Sequence, residues 1–199
     1  MSDVRVALVG PGAGEGAAAR VATALGAAWW EYAAPAGDDD DGPRDLGDFA
    51  AVYVAGADDP DLFVRARRSG NLVVSARAVE TLVGSCIPAD VVLVDGGDPA
   101  HDVDETELPV APGAIVTAQG PAGGWLRRAD GTEERWGDGG AAGAPALGAQ
   151  VADGIGAAIA VVLGRGEGLE DALRLAASVG AALARSGTGS TDPLAALGV

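Results

Sequence analysis

Asp153 stands directly ahead of an Ala/Ile/Val-rich run, "GIGAAIAVVLG", that ends at Gly164. A carboxylate at the mouth of such a run can do two things. It can cap a helix, accepting hydrogen bonds from free backbone N–H groups at the positive end of the dipole, or it can act as a general base. A second acidic pair, Asp95 and Asp98, lies in "VDGGDPAHD" with a three-residue offset. Hard oxygen ligands of this kind suit Mg²⁺, usually through water, and the same residues also make a solvated acidic turn. His101 beside them is the only histidine, and a lone imidazole cannot build a metal cluster. In "VGPGAGEGAAA", Gly12, Gly14 and Ala17 have the Gly-x-Gly-x-x-Ala spacing of a dinucleotide loop, and Glu31 follows at about the distance expected of its ribose-binding acid. In a chain with 32 glycines such a pattern is weak, and the same letters more readily make a plain strand-to-helix turn.

Composition narrows the classes. The chain has 199 residues, 48% of them hydrophobic, enough for one domain with its own core and too apolar for a disordered chain. Only 4% are aromatic, so the core must be aliphatic and small. The net charge is −16, and all 13 basic residues are Arg. That balance excludes nucleic-acid binding as a main function and disfavours anionic membrane surfaces. With no Lys, a Walker-type phosphate loop is excluded, and a phosphate ligand would need Mg²⁺, backbone N–H groups or an Arg. A single Cys, Cys86, cannot form an internal disulfide and fits a reducing compartment. The start "MSDVRVALVG" lacks the pattern of a signal peptide, and the longest apolar run is too short to span a bilayer. These features predict a cytoplasmic protein.

The elements that must position these residues alternate. "VRVALV" (4–9), "AAWWEYA", "FAAVYVAG" (49–56), "NLVVSA", "ADVVLVDGG" (89–97) and "GAIVTAQG" (113–120) read as strands. Helices are expected up to about Leu25, over 59–70 (capped by Asp59 and stopped by Gly70), in "ARAVETLVGS", and at about 150–164 and 168–186. Residues 123–136 read as a hairpin with Asp130-Gly131 as a two-residue turn. The polar stretch 35–48 marks the clearest internal seam. Strands alternating with helices predict an α/β, doubly wound, mostly parallel sheet, whose ligands bind beyond the strand carboxyl ends. The loops 95–101, 117–124 and the one before Asp153 lie at such ends.

The order of "AVYVAGADDPDLFVRARRSGNLVVSARAVETL", "ADVVLVDGGDP", "AIVTAQGPAGGW" and the closing helix pair resembles the C-terminal part of the PfkB/ribokinase-like carbohydrate kinases, over residues 49–190. The resemblance implies a ribokinase-like fold and ATP-dependent phosphoryl transfer, with Mg²⁺, to a sugar or nucleoside hydroxyl. It implies Asp153 as the base that takes the hydroxyl proton. It implies Thr117, Gly120 and Gly123 beside the nucleotide phosphates through the Thr-x-Gly-x-x-Gly spacing of "TAQGPAGG", and Gly180 in "AASVGAALA" (176–184) at the adenine pocket. Asp95 and Asp98 fall where the family carries Asn-x-x-Glu, which orders Mg²⁺.

The chain departs from the family in two ways. The hallmark Gly-Ala-Gly-Asp turn is replaced by Gln150, Val151 and Ala152 before Asp153, so both glycines are gone. Residues 1–48 carry neither the sugar-binding motifs nor the strands of a β lid, and read as a shortened Rossmann-like start. The expected protein is one domain over 1–199, truncated on its N-terminal side. Two further functions stay open: a degenerate, non-catalytic relative that binds a nucleotide or a protein, and a small dinucleotide-binding protein using Gly12 and Gly14. Relatives often pair through their lids, so a homo- or hetero-oligomer also stays open.

Overall fold

The computed structural model describes residues 4–11, 13–32, 45–96, 108, 110–138 and 147–186. Eight strands form one sheet: β1 (Arg5–Val9), β2 (Ala28–Tyr32), β3 (Ala51–Val54), β4 (Leu72–Ser75), β5 (Val91–Asp95), β6 (Ala114–Ala118), β7 (Gly123–Arg128) and β8 (Glu133–Gly137). Their spatial order is β2-β1-β3-β4-β5-β6-β7-β8. The first six are mutually parallel, and the β7–β8 hairpin closes one edge in antiparallel pairing. This is the expected doubly wound α/β, ribokinase-like architecture.

The central strands are continuous apolar runs because helices cover both faces. Val6, Leu8, Tyr53, Val73, Leu93 and Val116 point to the face covered by α1 (Ala17–Ala24), α4 (Ala149–Gly164) and α5 (Leu169–Ser186). Ala7, Val9, Val52, Val74, Val92 and Ile115 point to the other face, against α2 (Asp61–Ala66) and α3 (Val79–Ser85). α4 is buried along its whole middle, from Gly154 to Val162. It has no polar stripe because the sheet, α1 and α5 enclose it, which is the pattern of a central helix.

The direction of α4 matters for the site. Gly164, its last residue, packs beside Val4, Ala50 and Ala51 at the amino ends of β1 and β3. Asn71 Nδ2 donates to both Ala50 O and Leu163 O at 3.2 Å, pinning that end. α4 therefore runs against the strands, and its first turns lie over their carboxyl ends. α5 runs back: Glu170 pairs with Arg128 at the amino end of β6, and Gly180 reaches Pro121 just past its carboxyl end.

Two expectations are corrected. The hairpin loop has three residues, Ala129–Gly131. Arg128 N donates to Thr132 O at 3.0 Å and Gly131 N to Arg128 O at 2.9 Å. Within the loop only Gly131 has positive φ, at 82°, whereas either two-residue primed turn needs it at the first central position, Asp130. The helix expected over 59–70 is shorter, Asp61–Ala66. Asp59 does serve its start, taking Asp61 N–H at 2.9 Å. Its end is set by Ser69, whose hydroxyl donates to Ala66 O and Asn71 O and turns the chain into β4.

The tightest helix–sheet approach is at Gly156, where a Cβ would lie 2.2 Å from the Tyr53 ring. Gly156→Ala is expected to cost about 1–3 kcal/mol through overpacking. Gly168→Ala, whose Cβ would have 4.0 Å of clearance to Asp171, is expected to stay within about 0.5 kcal/mol of the parent. Urea unfolding of the two variants measures both, and equal midpoints would refute the role given to Gly156.

Candidate functional site

At the carboxyl edge of the sheet the turns after β4 and β6 lie beside the first turns of α4. Gly148 caps α4 in extended backbone and makes no side-chain capping bond. Its carbonyl takes the N–H groups of Val151 at 2.8 Å and Ala152 at 3.2 Å. Asp153 is therefore inside the helix, in its second turn, and the helix-cap expectation for it is overturned. The glycine, rather than the acid, sets where the helix begins.

Asp153 instead reaches into the molecule. Its Oδ1 accepts the Tyr53 hydroxyl at 2.9 Å and an N–H of the Arg77 guanidinium, with which it forms an ion pair. Tyr53 sits in the middle of β3 and is fully buried, so its hydroxyl needs a protein acceptor. Arg77 lies in the single 3₁₀ turn, Ala76–Ala78, that follows β4. Ser75 Oγ accepts from both Arg77 N and Arg77 Nε at 3.4 Å, which anchors the guanidinium stem. The side chains of Arg77 and Asp153 are 35% and 22% exposed, so the cluster runs from the core to the open edge of the sheet.

The electrostatics follow from that gradient. Burial raises the pKa of Asp153 above the usual carboxylate range, against the lowering pull of the Arg77 charge and of the Tyr53 and Arg77 hydrogen bonds. Burial first, and then the neighbouring Asp153 carboxylate, push the Tyr53 hydroxyl well above its ordinary value. Tyr53 is therefore a permanent donor at physiological pH.

A second group of sequence-derived residues gathers at the end of β6. Thr117 pairs with Val94 on one side and Trp125 on the other. Gln119 N donates to Gly123 O at 2.9 Å, closing the turn into β7. Gly120 has φ 126°, a conformation that favours glycine, and a Cβ there would meet nothing within 4 Å. The space over its backbone is open. Gly180 packs from α5 onto this turn, and a Cβ there would fall 1.9 Å from Pro121 O and 3.0 Å from Ile155 Cδ1. Thr117, Gly120, Gly123 and Gly180 are thus brought together, and Ile155 links them to the α4 turn that carries Asp153. An open groove of about 840 Å³ continues from Ala122 between the hairpin and α5, past Trp136, Asp138, Ala177 and Ala181.

Asp95 ends β5 on the same edge. Asp98 and His101 lie outside the described residues, and so does Gly12. Among the described residues no cluster of three or more His, Cys, Asp or Glu side chains is placed to hold a metal. Gly14 is packed against Glu31, whose carboxylate would collide with a Cβ there, so the acidic residue of the dinucleotide spacing does face its loop. No described helix is long and apolar enough to cross a membrane.

Sequence reasoning missed Tyr53 and Arg77. Tyr53 carried a signal: a hydroxyl inside the aliphatic run "AAVYVAG" must find an acceptor. Arg77 carried none, because its partner is fixed only by tertiary packing.

Because burial raises the folded pKa of Asp153, the native state holds that proton more tightly than the unfolded chain. The favourable contribution is complete below the unfolded pKa of about 3.9 and is lost as pH rises through the raised folded value. Asp153→Asn removes this dependence. Its melting temperature relative to the parent is expected to climb between about pH 4 and pH 7. Thermal unfolding at several pH values measures the difference, and a constant or falling difference would contradict the assignment.

No family model matches the chain, and no curated protein matches it in sequence. Solved structures do match. The pyridoxal kinase from Staphylococcus aureus in complex with AMP-PCP is 12% identical, with a TM-score of 0.66 over 92% of this chain and 88% of that one. An ADP complex of Bacillus subtilis pyridoxal kinase is 14% identical, with a TM-score of 0.60 over 88% and 89%. Pyridoxal kinase from Lactobacillus plantarum is 16% identical, with a TM-score of 0.55 over 97% and 92%. At these identities the likeness is one of fold: the chain is similar to these kinases in its ribokinase-like α/β architecture.

Proposed function

We propose that this protein is a ribokinase-like small-molecule kinase that transfers the γ-phosphoryl group of ATP to a hydroxyl, with Asp153 as the general base. The observation that carries the reading is Asp153 itself. It is a partly buried carboxylate over the strand carboxyl ends, with one oxygen engaged by the protein, in a fold shared with kinases solved with AMP-PCP and ADP. The acceptor is proposed to be a sugar-like or nucleoside hydroxyl, or the hydroxymethyl group of a pyridoxal-like ring. The last class is added because one similar structure is a complex with pyridoxal.

Phosphoryl transfer needs positioning and charge stabilisation more than covalent chemistry. ATP, when bound, supplies the phosphoryl group and its leaving oxygen. Open space above Gly120 supports a phosphate approaching the Thr117–Gly123 turn, because a side chain there would fill it. The groove along α5 supports a place for the nucleotide base, since Ala177 and Ala181 of the 176–184 segment line it. Asp153 Oδ2 would take the proton of the acceptor hydroxyl. A magnesium ion, when bound, would be held through waters on Asp95, which ends β5 on this edge, and on Asp98 three residues later in the chain.

A second reading, a nucleotide-binding relative without catalysis, is favoured by one observation. The Val151 and Ala152 N–H groups are already turned to Gly148 O, so they cannot also cradle a phosphoryl group as glycine-flanked donors would.

Calorimetric titration with ATP, with and without Mg²⁺, is the first test, followed by ATP consumption with sugars, nucleosides and pyridoxal. Binding with turnover is expected. Asp153→Asn should retain ATP affinity and lower kcat by about 10²–10⁴-fold. Full activity in that variant would remove Asp153 as base, and ATP binding without turnover on any acceptor would favour the second reading. Gly180→Ala, which must displace the Pro121 carbonyl, is expected to weaken ATP binding about tenfold, or about 1.4 kcal/mol. Unchanged affinity would move the nucleotide away from the turn.

A further inference from the structure

The two protein donors at Asp153 converge on one oxygen. Tyr53 Oη and the Arg77 guanidinium both donate to Oδ1, and no described residue donates to Oδ2. A carboxylate can accept at both oxygens, so this concentration is a choice of geometry. Tyr53 approaches from the sealed core, where its ring packs directly on the backbone of Gly156. Arg77 approaches from the turn after β4, its stem held by Ser75. Two donors arriving from different elements hold Oδ1, and the side chain that carries the other oxygen is 22% exposed.

We infer that Tyr53 and Arg77 are the positioning residues of the Asp153 base, holding Oδ1 so that Oδ2 is presented to the acceptor hydroxyl. This rests on the kinase reading above and adds to it two residues that act through Asp153. Arg77 has a second consequence. Burial alone favours the protonated carboxyl, which cannot accept a proton, and the guanidinium opposes it. The titratable groups facing Asp153 are Tyr53 from β3 and Arg77 from the turn after β4, and both act on it. Asp95 ends β5 on the same edge.

The experiment pairs a spectroscopic and a kinetic readout on the full chain. The Asp153 carboxyl is followed by ¹³C NMR against pH without nucleotide, assigned by its loss in Asp153→Asn, in the parent, Arg77→Gln, Arg77→Lys and Tyr53→Phe. The acidic limb of kcat/KM is measured on the same proteins with the best acceptor, and ATP affinity by calorimetry. Arg77→Gln is expected to move the NMR midpoint and the acidic limb together to higher pH. It should also lower kcat by about tenfold or more, with ATP affinity kept. Arg77→Lys should restore part of both, and Tyr53→Phe should move both in the same direction by less.

A parent with turnover whose Arg77→Gln variant keeps the parental midpoint and limb overturns the positioning role while leaving the kinase reading standing. A parent that phosphorylates no acceptor overturns the kinase reading and the inference with it. Thermal unfolding of each variant separates loss of fold from loss of positioning, and Arg77→Lys keeps the test available where the neutral variant unfolds.

Discussion

A phenolic hydroxyl sealed inside a sheet must be given an acceptor, because leaving it unpaired costs on the order of 1–3 kcal/mol. Tyr53 is given Asp153, 100 positions later in the chain. That one bond sets much else. It fixes the rotation of α4, since only one side of the helix can present a carboxylate to β3. It fixes the depth as well, since the hydroxyl can be reached only where the helix backbone comes close, and Gly156 is the residue that lets it. Once the carboxylate is drawn inward, burial works against its charge, and a cation becomes necessary. Arg77 supplies it from the neighbouring strand's exit. The three residues form a chain of requirement, each made necessary by the one before.

The core tolerates this arrangement because it is built from small residues. With so few aromatic side chains to fill space, helices and sheet must approach closely to exclude voids. Gly154 lies under Leu183, Gly156 under Tyr53 and Gly180 against Pro121 O. Each is a point where backbone, rather than side chain, makes the packing surface. The same economy ties the two halves of the candidate site together. α5 contacts the β6–β7 turn through Gly180 and contacts α4 through Ile155, so the turn and the Asp153 helix cannot shift independently.

The strands were legible because burial on both faces removes polar residues from them: "VRVALV", "AAVYV" and "VVLV" contain runs that only a covered sheet explains. α4 and α5 were legible from their length and small apolar residues. Element ends were less so. Gly131 alone takes the left-handed region, so the loop around it needed three residues. Ser69 ends the α2 segment through hydroxyl bonds to carbonyls that pattern cannot foresee. For the site, residue types near the carboxyl ends were readable, and Thr117, Gly120, Gly123 and Gly180 do meet at one turn. The depth of Asp153 in its helix was not readable, because Gly148 competes to start the helix and wins. Arg77 was invisible, since two residues that meet only through β4 and α4 leave no spacing to read.

Charge completes the argument. The protein carries a net −16 with no lysine, so cations for an anionic ligand are scarce. Arg77, the guanidinium held at that edge by Ser75, is already paired with Asp153. A phosphate that drew it away would leave a buried carboxylate without its counter-charge, so the two anions compete for one cation. On the proposed reading, a phosphate then draws on the open space over Gly120 rather than on Arg77. On that reading the glycine turn after β6 is therefore favoured over the start of α4 as the place for the phosphates. The second turn of α4 is left to hold a carboxylate whose ionisation is balanced between burial and a single arginine.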